Sequence, residues 1–154
     1  MKIVVVDGQG GGIGKAIIEK LKNNLPPNCD IVAVGTNALA TAAMLKAGVS
    51  SVATGENAVM FNVKNADVII GSIGIVSANA MMGELSPNMA NAISSSPATK
   101  VLIPLNRCSL KVVGVNTDSL PGMIEEAVNV VNEIASRNNS CNSWNLFGGI
   151  YGIT

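Results

Sequence analysis

The residues of this chain best suited to chemistry lie between Asp7 and Lys15, in the run Asp-Gly-Gln-Gly-Gly-Gly-Ile-Gly-Lys. Gly8, Gly10, Gly11, Gly12 and Gly14 crowd into this short stretch. Glycine lets another molecule approach the backbone closely. A helix opening just beyond presents unpaired N–H groups and roughly half a positive charge. Together these form a cradle for a phosphate. Gly8, Gln9, Gly10, Gly11, Gly12, Gly14 and Lys15 are therefore expected to hold the phosphate of a small molecule.

Other polar residues fall into groups, each directly after an expected strand: Thr36 and Asn37, Glu56 and Asn57, Ser72 with Ser77 and Asn79, and Asn106 with Arg107. Thr36, Asn37, Ser72, Asn106 and Arg107 are expected to orient the rest of the ligand, with Arg107 as the natural anion clamp. Asp7 and Glu56 together could hold a magnesium ion on the ligand's phosphates. The simpler role for both is to cap the helices that follow them. Histidine is absent, so neither an imidazole base nor a Ser-His or Cys-His nucleophile can be built. Cys108, beside Arg107, reads either as a thiol of lowered pKa or as an inert buried one.

The elements that must position these groups follow from apolar periodicity. Ile3 to Val6 reads as a strand, and Ile13, Ile17, Leu21 and Leu25 form one face of a helix ended by Pro26 and Pro27. A second strand covers Asp30 to Val34. Asn37 caps a helix from Ala38 to Ala47, which Gly48 ends. A third strand, Val49 to Ala53, and a short helix, Ala58 to Val63, come next. Asp67 to Ile70 is the fourth strand, followed by a helix around Ser77 to Met82. Ser86 caps a further helix with Pro87 at its first position. Val101 to Leu105 is the fifth strand and Leu110 to Val115 the sixth. The link between them is too short for a parallel crossover, so the sixth should run antiparallel. Asp118 or Ser119 caps a last helix whose face is Ile124, Val128, Val131 and Ala135.

This rhythm predicts a Rossmann-like, doubly wound α/β domain over residues 1–137. Its mostly parallel sheet would have about six strands, the last antiparallel, with helices on both faces. Ligands in such sheets sit at the carboxyl ends of the strands, at the switch point. From Asn138 onward the texture changes, and Trp144, Phe147 and Tyr151 are three of the four aromatics. That segment, 138–154, reads as a tail that is mobile or docked on its own domain or a neighbour.

Composition agrees. Of 154 residues, 48% are hydrophobic and 13% charged, which favours elements buried on more than one side. The net charge of zero and 3% aromatics speak against a nucleic-acid partner. No apolar run reaches a membrane span, and the start lacks a signal peptide's layout. Three cysteines without a close pair fit a reducing cytoplasm.

Gly8, Gly12, Ile13 and Gly14 resemble the glycine spacing of short-chain dehydrogenases, but the acid ending the second strand and the Tyr-x-x-x-Lys pair are missing. Gly11 to Lys15 resembles the deviant phosphate loop of nitrogenase-reductase-like ATPases, with Ala16 where a magnesium-binding hydroxyl belongs. That departure disfavours a phosphoryl-transfer enzyme. The first two strand–loop units also resemble those of the tubulin and bacterial division GTPases. Taken nearly end to end, residues 1 to about 135 resemble a small bacterial family known as a domain of unknown function. The resemblance rests on DGQGGGIGK (7–15), GTNALAT (35–41), MLKAG (44–48), ATGENA (53–58), ADVIIG (66–71) and Asn106-x-Cys108. It implies no activity and no catalytic residue. Three roles stay open: a module binding a nucleotide, dinucleotide or similar phosphorylated ligand; a magnesium-dependent enzyme on that ligand; and a non-catalytic subunit of a homo-oligomer.

Overall fold

The β-branched run Ile3 to Val6 is stiff at χ1 and suits a pleated, packed strand. In the computed structural model, which describes residues 1–105, 109–115 and 119–145, it lies within β1, Lys2–Asp7. The chain continues as α1 (Gly12–Asn24), β2 (Asp30–Gly35), α2 (Ala38–Lys46), β3 (Ser51–Thr54), α3 (Glu56–Val63) and β4 (Val68–Ser72). A 3-10 turn (Ile73–Val76), α4 (Pro87–Ser95), β5 (Thr99–Ile103) and α5 (Leu120–Asn145) complete it. The five strands pair in parallel in the order β3-β2-β1-β4-β5. The chain winds outward from β1 to β3, then crosses back to β4, so the order reverses between β1 and β4.

Alternate residues of the central strands serve opposite cores, which is why both read as unbroken apolar runs. Ile3, Val5, Val68 and Ile70 pack with Ile17, Leu21, Met44 and Val128 from α1, α2 and α5. Val4, Val6 and Ile69 pack with Val59, Val63, Met89 and Ile93 from α3 and α4. Each such fully buried aliphatic side chain contributes about 1.5–3 kcal/mol relative to exposure.

Local signals set the helix ends. Leu25, ahead of Pro26, is extended (φ −88°, ψ 148°) and closes α1. The Asn37 side chain accepts from the Ala40 N–H at 2.8 Å and opens α2. Ser86 accepts from Met89 N–H at 3.2 Å, and Pro87 follows it at the start of α4.

Two expectations need correction. Leu110 to Val115 forms no sixth strand, and the sheet ends at β5 with no antiparallel partner among the described residues. Ser109 (φ 55°) and Gly114 (φ 83°) turn the backbone out of the extended region, and Val113 is 97% exposed. Ser77 to Met82 is a series of turns rather than a helix, because Asn79, Met81 and Met82 are left-handed (φ 63°, 59° and 58°). Separately, the last helix runs on to Asn145, into the segment read as a tail. Trp144's side chain, Phe147, Tyr151, Asp118 and Cys108 lie outside what is described. No helix among the described residues is long and apolar enough to cross a membrane.

Candidate functional site

β1 delivers Asp7 to the carboxyl edge of the sheet at its centre, directly below the start of α1. Its carboxylate is 5% exposed and fully engaged. Oδ1 accepts from the Gly8 N–H at 2.8 Å and Oδ2 from the Gly14 N–H at 2.6 Å, and the nearby Ile13 amide also favours the charged form. A side-chain anion thus already occupies the helix start. Of the other amides expected to receive a phosphate, Gly11 donates to Gly8 O at 3.0 Å and Lys15 to Gly11 O at 3.0 Å. Gln9 donates to Glu84 Oε2 at 2.7 Å. Only the Gly10 and Gly12 amides are left without a partner among the described residues.

The glycines divide in the same way. A Cβ on Gly14 would meet Met44 Sδ at 2.6 Å and Asp7 Cβ at 2.8 Å. One on Gly11, which is left-handed at φ +70°, would meet Ala40 O at 2.6 Å, and one on Gly8 would meet Met81 Sδ at 2.5 Å. These three are required by packing. Gly10 and Gly12 would meet nothing within 4 Å and have no positive φ, so the fold itself does not require glycine there.

Glu84 was not anticipated from the sequence. It is carried over the sheet edge by the left-handed turns at Met81 and Met82, and its Oε2 gathers three donors: Gln9 N–H at 2.7 Å, Thr36 Oγ1 at 2.7 Å and Asn37 Nδ2 at 2.9 Å. Asn37 Nδ2 also donates to Gln9 O at 3.0 Å. The bond from Gln9, with those from Thr36 and Asn37, holds the Glu84 carboxyl below its ordinary range. Thr36 and Asn37, expected to orient a ligand, both hydrogen-bond Glu84. One signal was available: Glu84 is the sole charged residue between Asp67 and Lys100.

Burial pushes the Asp7 carboxyl up from its ordinary value of 3.8, against the Gly14 and Gly8 amides, and the charge of Glu84 adds to the push. The folded state therefore holds that proton more tightly than the unfolded chain. The stability this group contributes is complete below 3.8 and declines as pH rises through its raised folded value. Glu84 acts oppositely, its contribution fading as pH falls below 4.5. Asp7→Asn, measured against wild type by chemical denaturation across acid pH, is expected to be most destabilising at the acid end. Its deficit should shrink as pH rises past 4; a deficit independent of pH contradicts the assignment.

A cleft of about 350 Å³ opens between the ends of β1 and β4, at the switch point. That lies at the lower end of the roughly 300–1,000 Å³ of small-molecule sites. Asp7, Gly8, Gln9, Gly10, Gly11, Gly12 and Ser72 line it, and Met81, Met82, Leu105 and Leu120 supply apolar walls. Gly14, Lys15, Thr36, Asn37 and Glu56 do not. Lys15 is exposed, 3.9 Å from Glu19. Glu56 is exposed and binds Ser86 Oγ and, at 3.3 Å, Asn88 Nδ2, tying the start of α3 to that of α4. The structure thus engages Asp7 and Glu56 at separate helix starts, and no cluster of three or more His, Cys, Asp or Glu occurs among the described residues. Asn106 and Arg107 lie outside the described residues.

Ser72 differs from the other polar groups. It is 6% exposed and lines the cleft, yet its hydroxyl has no hydrogen-bond partner among the described residues. No fully enclosed side-chain nitrogen or oxygen there lacks a partner. The Ser72 hydroxyl is therefore turned to the cleft.

Residues 2–136 match DUF3842, a domain of unknown function. The chain belongs to this family. No curated protein matches it. Among solved structures, it is similar to a dodecameric FMN-dependent UbiX-like decarboxylase from Escherichia coli O157:H7. The two share 15% identity over 84% of this chain and 75% of that one, with a TM-score of 0.41. The family's fold in this member is the five-stranded parallel Rossmann-like sheet described above.

Proposed function

We propose that the cleft between β1 and β4 binds a phosphorylated small molecule of the nucleotide class, its phosphate against the Gly10 and Gly12 amides and the Ser72 hydroxyl. The observation that carries this reading is Ser72: the residue is almost wholly buried, yet its hydroxyl bonds no group among the described residues and opens into the cleft, where a ligand oxygen can meet it. Gly10 and Gly12 support it, since their bare backbone serves close approach and nothing else in the described structure. The Asp7 charge opposes an anion, but its lone pairs already point at protein amides. In this reading Arg107, two residues beyond the lining residue Leu105, supplies the compensating cation.

Thermal-shift measurements with nucleotides, with and without magnesium, test this. A nucleotide that binds is expected to raise the melting temperature. Ser72→Ala and Gly12→Ala should each weaken it about tenfold or more while folding normally. Arg107→Ala should weaken a nucleotide but not its dephosphorylated nucleoside. Absence of a shift with every phosphorylated ligand removes the reading. A second role, association of copies through α2, is favoured by Leu39 and Leu45, 69% and 49% exposed on that helix. Light scattering that finds a monomer at every concentration removes it.

A further inference from the structure

Given the ligand reading above, what closes the β2 side of the cleft decides how large a ligand fits. Dinucleotide-binding sheets of this strand order hold a ribose with an acid about 20 residues past the glycine turn. That position falls here at the end of β2, around Gly35 to Asn37, and no acid stands there. Glu84 arrives in its place from the opposite half of the sheet and bonds downward to Gln9, Thr36 and Asn37. The space between the β1 and β2 loops is filled: a Cβ on Gly8 would lie 2.5 Å from Met81 Sδ, 2.7 Å from Thr36 Oγ1 and 3.0 Å from Glu84 Oε2. The cleft accordingly runs from the glycine turn toward Ser72, Leu105 and Leu120, and neither Thr36 nor Asn37 lines it.

We propose that Glu84 seals the site against the β2 half of the sheet edge, so that it takes a mononucleotide and excludes a dinucleotide. The three donors hold the carboxylate through Oε2, which fixes the side chain across the β1 and β2 loops without a ligand. The left-handed residues Met81 and Met82 make this possible, because they aim the chain so that Glu84 points down into the crevice. The side chain therefore selects ligands by size.

Calorimetric titration of the wild-type protein with AMP, nicotinamide mononucleotide and FMN, and with NAD and FAD, tests the seal. At least one mononucleotide is expected to bind, with its dinucleotide weaker by about tenfold or more. Glu84→Ala should narrow or reverse that ratio. Glu84→Gln, which keeps the side chain's length and one carbonyl acceptor, should preserve it. Wild-type protein binding NAD or FAD as well as the mononucleotides overturns the seal and leaves the ligand reading standing. So does a Glu84→Ala protein that loses dinucleotide binding, since Glu84 would then be the ribose partner. If Glu84→Ala fails to fold, the wild-type ratio and the Glu84→Gln titration still decide. Binding of neither size class overturns the ligand reading, and the seal with it.

Discussion

Asp7→Ala is expected to lower stability by about 2 kcal/mol or more, because it strips a carboxylate from the Gly8 and Gly14 amides at the start of α1. For a domain of this size that is roughly 4–8 °C in melting temperature. The more telling result is rescue. With the side chain gone, those amides converge on an empty anion position at a helix N-terminus. Sulfate or phosphate should then raise the melting temperature of Asp7→Ala well beyond their effect on wild type. Ligand binding to the folded state alone adds about 2.7 kcal/mol at a hundred times its dissociation constant. Chloride at equal ionic strength is the control. If it does as well, or if neither oxyanion helps, the amides do not form an anion cradle and Asp7 is not its internal occupant.

That arrangement explains what was readable from the sequence and what was not. The strand–glycine–helix unit was legible because each signal is local: a β-branched run, then glycines, then residues at helical spacing. The caps at Asn37 and Ser86 were legible for the same reason. The occupant of the helix start was half legible. Asp7 as a helix cap was the simpler of its two roles, yet the sequence does not say that one carboxylate would engage amides as far along as Gly14. Glu84 was not legible as a partner, since it bonds Gln9 across 75 positions and depends on left-handed methionines that no propensity favours. The sixth strand failed for a related reason. Leu110 to Val115 has strand-like composition, but β propensity reflects packing against neighbours, and a segment exposed at Val113 and turned at Gly114 has little to pack against. Thr36 and Asn37 were correctly placed at the sheet edge, but face Glu84 rather than the cleft.

Gly71→Ala and Gly12→Ala are expected to lie at opposite ends of the stability scale, although both change a glycine at the edge of one site. Gly71 sits in β4, paired with Leu102 of β5, and a Cβ there would come within 2.5 Å of the Val6 carbonyl oxygen in β1. Backbone of a central strand cannot swing aside as a side-chain tip can. The methyl must part β4 from β1 or push Ile75, 3.1 Å away, into a packed core. Overpacking of this kind costs about 1–3 kcal/mol and occasionally more; with main chain as the obstacle, Gly71→Ala belongs at or above the top of that range. Gly12, at the first position of α1, would place its methyl in open space, and alanine there restricts the unfolded chain. Gly12→Ala should be neutral or stabilising by about 0.4–1 kcal/mol. Urea denaturation of the two variants measures the contrast directly. A Gly12→Ala protein as damaged as Gly71→Ala would mean that the fold itself requires that glycine, and the space above it would no longer speak for a ligand.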